Sequence, residues 1–258
     1  MSNGPLPVFD NPPVLEVVTG VQFDRLRSMQ TSHFGKFWET VREEFPTSQD
    51  APPLPDVSEP FTVELLTLPP LRRMMLISAD NHYVIQVQDS RFHVNWRKTK
   101  SSDVYPRFDV IFSKFKEFWT EFTEFVSAAG IAPLKITAYE LTYVNHIDAN
   151  AQEFGTSVAQ RVKMYNWGGV QPEFLPQPSS VSAVWQFTLP DGKGNLNANL
   201  SHARREKEDV LVLNMGCQGQ ASETFTLDSW FETAHEWIVR GFTDLTTDEA
   251  HKLWGRKE

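Results

Sequence analysis

The chain contains a single cysteine, Cys217. One thiol cannot form an intramolecular disulfide, and it cannot supply the cysteine sets that hold structural zinc. The start of the chain is polar and rich in proline, without the apolar segment of a secretory leader. Together these features predict a cytoplasmic protein that folds without disulfides, with Cys217 as a small packed residue.

Long hydrophobic runs and excess positive charge are also missing. No run reaches the roughly 18 apolar residues that a membrane span needs, so no membrane association is expected. Lys and Arg number 24 against 33 Asp and Glu, a net charge of −9. Because cationic side chains provide most of the affinity for nucleic acid, this acidic balance argues against nucleic acid as a partner.

Recognisable catalytic patterns are absent as well. The glycines at 192 and 194 lack the spacing of a phosphate-binding loop and indicate a hairpin turn. None of the seven histidines lies in a zinc-binding helix pattern, and no nucleophile elbow occurs. The sequence therefore predicts no cofactor, no metal site and no catalytic residue, and His235 and His251 are interpreted as structural.

The elements that the residue patterns predict repeat once along the chain. The first series is a strand at 14–23, a short helix ended by Pro46 and a proline-rich loop at 47–60. Three strand-like runs follow, one at 61–67, one at 73–79 and a pair at 82–88 and 91–97, and then a phenylalanine-rich helix ending near Gly130. The second is a strand at 136–148, a helix at 153–165, strands at 181–189, 195–203 and 209–217, a helix with a capping box at Ser229, and a short helix starting from Thr246.

Matching details indicate a true duplication. Glu16 and Asp24 bracket the first strand with the same spacing as Glu140 and Asp148 around its counterpart. We therefore predict an α+β fold made of a duplicated strand-helix-three-strand-helix unit, forming a curved antiparallel sheet with helices packed on one face. Residues 1–11 are assigned to a flexible N-terminus, 12–130 to the first repeat and 131–258 to the second, both in one compact domain.

Side-chain alternation in the strands predicts a polar open sheet face. In the strand at 91–97, Phe92, Val94 and Trp96 alternate with polar and cationic residues, which point to the opposite side. The same alternation occurs at 195–201. A merely solvated face is the competing interpretation, because antiparallel sheets commonly expose one polar side. The candidate binding residues are Arg97, Lys98, Arg204, Arg205, His93, Asn95 and Asn199.

Short segments at both ends carry a family resemblance. Asn-Pro-Pro-Val-Leu-Glu-Val-Val at 11–18, His235, Phe242 and Trp254-Gly255 resemble a sporadically distributed bacterial family of uncharacterised proteins of about this length. The patchy distribution implies horizontal transfer, which suits defence or toxin-antitoxin neighbourhoods. At the level of the fold alone, the duplicated architecture resembles saddle-like proteins such as the TATA-binding protein.

The leading functional hypothesis is a non-catalytic binding protein that recognises a protein or a small ligand, as a sensor or neutralising partner in a bacterial conflict system. The alternative is a metal-independent hydrolase or transferase with an unfamiliar site. Nucleic-acid binding would require a basic stripe across the sheet face. An edge strand left unpaired in either repeat would allow a symmetric homodimer.

Overall fold

A computed structural model describes residues 4–54, 71–131, 133–148, 154–164, 173–176, 178–205 and 208–257. The strand predicted at 61–67 lies outside the described residues. Among the residues that are described, no helix combines the length and the hydropathy that a membrane crossing requires.

Eleven strands and five α-helices form within these ranges. The strands are β1 (Val8–Phe9), β2 (Val14–Phe23), β3 (Thr47–Ala51), β4 (Arg73–Ile77), β5 (Tyr83–Gln88), β6 (Arg91–Arg97), β7 (Ile136–Asp148), β8 (Ser182–Thr188), β9 (Asn195–Arg205), β10 (Glu208–Gln220) and β11 (Arg256–Lys257). The helices are α1 (Thr31–Val41), α2 (Phe108–Ala128), α3 (Phe154–Arg161), α4 (Leu227–Leu245) and α5 (Asp248–Leu253).

Nine strands hydrogen-bond in the order β3-β4-β5-β6-β2-β7-β10-β9-β8. In each repeat the first strand neighbours the last one, β2 beside β6 and β7 beside β10, so the two repeats share this strand order except for β3, which has no counterpart among the described strands of the second repeat. The predicted α+β class, with an antiparallel sheet and helices packed against it, is confirmed. Strand β3 corrects the sequence analysis, which assigned it to a loop: its polar residues lack a β-forming pattern, and pairing with β4 makes it a strand.

The chain divides into two compact units, each named here after its long helix. The α2 unit comprises Val18–Thr99 and Arg107–Ala138, and the α4 unit comprises Met1–Val17, Lys100–Pro106 and Tyr139–Glu258. Strands β2 and β7 therefore contribute residues to both units. These limits differ from a simple cut between the two repeats near residue 130.

Packed aromatic rings form the core of the α2 unit. Phe92 of β6 stacks on Phe122 of α2 with ring centroids 5.0 Å apart, and Phe37 of α1 meets Phe122 edge-on at 5.2 Å. All three rings are fully buried. Phe115 and Phe122 of α2 both contact Phe92 of the sheet because their spacing of seven residues places them on one helix face. Truncating one such ring typically costs about 3–5 kcal/mol.

The α4 unit has a core centred on Trp230. Its ring packs 5.4 Å from that of Tyr139 on β7, and its Nε1 donates to the Lys193 carbonyl at 2.8 Å. The buried Lys193 ammonium donates to the Ser229 carbonyl and hydroxyl and to the Thr233 hydroxyl, over 2.7–3.1 Å. The turn between β8 and β9 is thereby fastened to the first turns of α4.

Both C-terminal helices begin at a residue other than the one predicted. The hydroxyl of Thr226 caps α4 by accepting from the Ser229 N–H, so Ser229 lies inside the helix instead of at its start. Thr247 caps α5 by accepting from the Ala250 N–H, one residue later than predicted. The capping-box pattern predicts that a helix begins nearby, but several threonine or serine residues near that point could cap it. Which of them does so depends on the path of the chain.

The N-terminal segment is held in place from Val8 onward. Val8 pairs with Lys257, and the buried Phe9 packs edge-on against Phe242 at 5.7 Å and against the imidazole of His251 at 5.5 Å. The sequence analysis assigns residues 1–11 to a flexible start, since the short segment carries no periodic pattern. Its order comes from pairing with a segment almost 250 residues away, which a local pattern does not reveal.

Candidate functional site

The sheet face opposite α4 in the α4 unit carries a patch of amides and hydroxyls. Pairing of β9 with β8 and β10 sets Asn199 beside Val184 and Asn214, and Asn197 beside Gln186 and Gly216. Their neighbours Leu196, Ala198 and Leu200 are buried on the other side. We call this patch the amide face; its members are Gln186, Thr188, Asn195, Asn197, Asn199, Ser201, Asn214 and Gln218.

The amide face is open to solvent. Gln186, Thr188 and Asn199 are exposed, and the other five members are half-buried. Each amide offers both donors and an acceptor, so the face can satisfy either kind of polar group on a ligand. At one end of the face the Gln218 amide donates to the Glu140 carboxylate at 3.4 Å. The predicted binding residue Asn199 lies at the centre of this surface.

The corresponding face of the α2 unit is buried. His93 and Asn95, predicted as exposed binding residues, are each only 4 % exposed, and Gln86, Gln88 and Arg91 are similarly covered. The predicted exposure of these two residues is wrong, because alternation along β6 shows that two faces exist but does not show whether the second is covered. On this face His93 lies against Gly20 of β2, where a Cβ atom would come within 1.8 Å of the imidazole Cδ2.

Hydrogen bonds within the α2 unit engage this buried polar layer. The Arg73 guanidinium donates to the Gln86 side-chain oxygen at 2.7 Å, and Gln88 bonds both the N–H and the carbonyl of Leu54. Burial, with the nearby charge of Arg91 second, lowers the pKa of Arg73. These bonds tie Gln86 and Gln88 to partners inside the α2 unit, so both side chains contribute to its fold.

The predicted cations fall in both units. Arg97 and Lys98 are half-buried at the end of β6, where the Arg97 Nε donates to the Asn81 carbonyl at 2.8 Å. Arg204 and Arg205 end β9, with their Cα atoms opposite Asp209 and Glu208 of β10. Their side chains lie outside the described part of the chain. Of the seven candidates, only Asn199 is therefore placed on an exposed face.

Besides the His251 Nδ1 and the Asp248 carboxylate, which lie 3.6 Å apart, histidine and carboxylate pairs occur at two places in the described part of the chain. In the turn before β5, Asp80 accepts from the Ser78 hydroxyl at 2.7 Å and lies 3.2 Å from the His82 Nδ1. Here the serine donates to the carboxylate, and the hydroxyl beside the imidazole is that of Thr99, whose Oγ1 lies 3.4 Å from the His82 Nε2. The second pair joins the His202 Nε2 and the Asp209 carboxylate at 2.9 Å across β9 and β10.

Cys217 and the ionisable clusters give no further support for catalysis. The thiol of Cys217 is buried against the Ala234 carbonyl, and burial raises its pKa to about 12, which keeps it protonated and unreactive. Within the described ranges, no group of three or more His, Cys, Asp and Glu side chains could hold a metal ion. Among these residues the contacts of His82 with Asp80 and Thr99 are the arrangement that fits the hydrolase or transferase alternative.

A cavity of 660 Å³ lies on the helix side of the α4 unit, and the sequence analysis missed it. Phe187, Leu196 and Trp237 contribute apolar walls, and Met164 and Arg240 also line it. The Arg240 guanidinium is engaged by the Glu236 carboxylate at 2.8 Å. The walls come from β8, β9, α4 and the segment after α3, so no local sequence pattern marks the cavity.

Comparisons with known proteins give similarities at the level of structure. No family model matches the chain, and no curated protein matches it. Among solved structures the chain is similar to the Methanococcus jannaschii TBP, with 13 % identity over 91 % of this chain and 99 % of that one, at a TM-score of 0.26. A similarity at this level assigns neither a fold nor a function.

Proposed function

We propose that the protein is a non-catalytic binding protein and that the amide face of the α4 unit is its recognition surface. The observation that carries the proposal is the exposure of this face, with Asn199 and Gln186 open to solvent, beside the burial of the matching polar face in the α2 unit. Polar groups that no interior contact requires are available to an external ligand.

The composition of the amide face indicates the kind of partner. From Asn195 to Ser201 on β9, and along the whole of β8, no lysine or arginine occurs. A polyanion such as nucleic acid would need cations there, whereas a protein surface or a polar small ligand needs the mixed donors and acceptors that amides supply. The proposal is therefore recognition of a protein or a small polar ligand.

The family resemblance supports a more specific form of the proposal. A sporadically distributed bacterial family suits genes that move with defence or toxin-antitoxin systems. In this form the protein acts as the sensor or the neutralising partner in such a system, and its amide face contacts the partner directly.

Affinity capture with matched variants tests the proposal. The tagged full-length protein is incubated with extract of its native host, beside a Gln186→Glu/Asn199→Asp double variant. Each change keeps the side-chain shape but replaces an amide by a carboxylate. The N–H donors are lost and only acceptor oxygens remain. The control is Gln49→Glu, the same kind of change on exposed β3 of the α2 unit.

We expect a stoichiometric partner with the wild-type protein and with the Gln49→Glu control. The double variant should capture at least about tenfold less of it, because the loss of one hydrogen bond between uncharged groups costs about 1.4 kcal/mol of binding free energy. Equal recovery with all three proteins would exclude the amide face as the binding surface. Absence of any stoichiometric partner would count against a protein ligand, and thermal-shift screening of host metabolites with the same three proteins then tests the small-ligand form.

A further inference from the structure

The two ends of the nine-stranded sheet differ in how they are protected. Strand β3, at one end, has five residues, includes Asp50 paired with Arg72 at 3.0 Å, and is followed by Pro52-Pro53. Short length, charge and proline are the devices by which edge strands avoid pairing with other chains. Strand β8, at the other end of the described sheet, has seven residues and contains no charge and no proline.

The backbone N–H and C=O groups of β8 point alternately towards β9 and away from it. The bonds from the His202 N–H to the Val181 carbonyl and from the Leu189 N–H to the Gly194 carbonyl show that odd-numbered residues pair with β9. In an antiparallel ladder the intervening residues point their N–H and C=O groups away from that neighbour. The even-numbered residues, from Ser182 to Thr188, therefore direct their backbone groups outward.

These outward groups match a second copy of the same strand. In an antiparallel pair centred on Trp185, Val184 lies opposite Gln186 of the other copy and Ser182 lies opposite Thr188. All four are even-numbered residues, so every outward N–H and C=O along the strand meets a partner. A strand whose outward residues are symmetric about its centre is complementary to itself, as a twofold interface requires.

The side chains of β8 fit the same register. On the helix side Ala183 would lie opposite Phe187, so a small residue faces a large one, and on the amide-face side Val184 would lie opposite Gln186. Val184 is 67 % exposed and Phe187 is 38 % exposed, although both are large apolar residues. No charge opposes another charge in this arrangement, because the strand has none.

We propose that β8 is a homodimer interface, in which two copies of this chain add their β8 strands to each other in antiparallel register about Trp185. The partner is a second copy because the strand's backbone and side chains are complementary to themselves, as described above. The proposal is independent of the amide face as a recognition surface. Pairing would extend that face, with Gln186 and Thr188 of both copies along the seam.

Proline substitution at an outward position tests the pairing. Val184→Pro removes an outward N–H and leaves the bonds to β9 intact, and proline is tolerated at such edge positions. Val184→Thr, which keeps the N–H and the branched side chain, is the matched control. We expect a mass twice 29.5 kDa for the wild type and for Val184→Thr by sedimentation equilibrium, and a monomer for Val184→Pro, with at least about tenfold weaker association.

Cysteine cross-linking tests the register without relying on a destabilised strand. Val184→Cys and Gln186→Cys are made as separate single variants, and Cys217 stays silent because it is buried. Residues opposite each other in a hydrogen-bonded pair have Cα atoms about 5.5 Å apart, within disulfide range. Under mild oxidation the mixture of the two variants should form a cross-linked dimer, while each variant alone should not.

Either of two results would overturn the proposal. If the wild-type protein stays monomeric across the micromolar range, β8 does not pair with a second copy of the chain. A dimer that survives Val184→Pro and gives no mixed cross-link uses another surface. Loss of captured partner in the amide-face variants with an unchanged dimer mass would affect the recognition surface alone, so the two proposals fail separately.

Discussion

The two units differ in the sheet face opposite the long helix, which is buried in the α2 unit and exposed in the α4 unit. In both, a long helix covers one side of the strands with aromatic rings, and polar residues alternate onto the other side. In the α2 unit that polar side is buried, with His93 at 4 % exposure, whereas in the α4 unit Asn199 is exposed. The polar face is therefore interior in the α2 unit and open to solvent in the α4 unit.

The space around one glycine on each face shows that the two faces also differ in packing close to the backbone. Gly20 on the buried face has no room for a side chain, because His93 occupies the space. Gly216 on the amide side faces the Thr142 hydroxyl, where a Cβ atom would come to 3.0 Å of a group that can rotate away. A side chain at position 20 would overlap the His93 ring, whereas at position 216 the Thr142 side chain would have to move by only a few tenths of an ångström.

The largest expected effect is that of Gly20→Ala. The added methyl group would have to displace the buried His93 ring, and such overpacking costs about 1–3 kcal/mol, with this contact at the upper end. Gly216→Ala should change the free energy of unfolding by less than about 0.5 kcal/mol, because the Thr142 side chain can adjust and alanine is less flexible than glycine in the unfolded chain. Urea denaturation of the two variants measures both values.

Equal losses from the two alanine substitutions would contradict this difference in packing between the two positions. A Gly20→Ala protein as stable as the wild type would show that His93 does not occupy the space above Gly20. The companion variant Gly20→Ala/His93→Ala should recover part of the loss, since it removes the ring that the methyl group meets.

Acid should destabilise the α4 unit at a higher pH than the α2 unit. In the α4 unit, burial first, and then the charges of Arg256 and Lys163, lower the pKa of His251 below its ordinary value of 6.5. The imidazole is buried between the Thr246 hydroxyl, 2.9 Å from Nε2, and the Arg256 guanidinium, 3.1 Å from Nδ1. Arg256 can only donate, so the Nδ1 must accept and the ring must be neutral.

The sign of the pH effect follows from that lowered pKa. Unfolded His251 takes up a proton near pH 6.5 while the folded form resists, so its contribution to stability is complete above pH 6.5 and is lost as the pH falls towards the folded pKa. In the α2 unit, burial of Asp80 is outweighed by hydrogen bonds from the His82 N–H and the Ser78 hydroxyl, which lower its pKa from 3.8. Its contribution therefore persists down to about pH 4.

Melting temperatures of the wild type and of His251→Gln between pH 7 and pH 5 test this effect. Glutamine keeps a donor and an acceptor but does not titrate in this range, so its curve should be flatter than that of the wild type over the same interval. Parallel curves would mean that His251 does not remain neutral in the folded protein. Asp50→Asn on exposed β3, whose carboxylate is paired with Arg72, is the matched control, and it should leave the slope between pH 7 and pH 5 unchanged.

Much of the fold follows from local patterns in the sequence. The limits of β6 and β7 and the extent of α2 agree closely with prediction, because strict alternation and phenylalanines at helical spacing are strong signals. Strand β3 was missed, since Thr-Ser-Gln-Asp-Ala has little β-forming character and becomes a strand only by pairing. The pairing of Val8 with Lys257 was missed for the same reason.

For the candidate site, the sequence predicts which strand face carries the polar residues but does not predict whether that face is exposed. Alternation placed Asn199 and His93 correctly on the face away from the helices, but the same pattern describes an exposed face and a buried one. Burial depends on what packs over the strand from distant parts of the chain, and this information is absent from a window of seven residues. Gly20 was the available signal, because a glycine inside a strand often marks a close approach by another group.

Thiol accessibility on the two faces tests the central claim most directly. Cysteines are introduced singly as Asn95→Cys and Asn199→Cys, in a protein whose own Cys217 is buried and unreactive, and their modification by a maleimide is timed. The account predicts that the thiol at position 199 reacts as fast as a free thiol and that the one at position 95 reacts about 100-fold more slowly, since it requires local opening. Equal rates at the two positions would contradict the account.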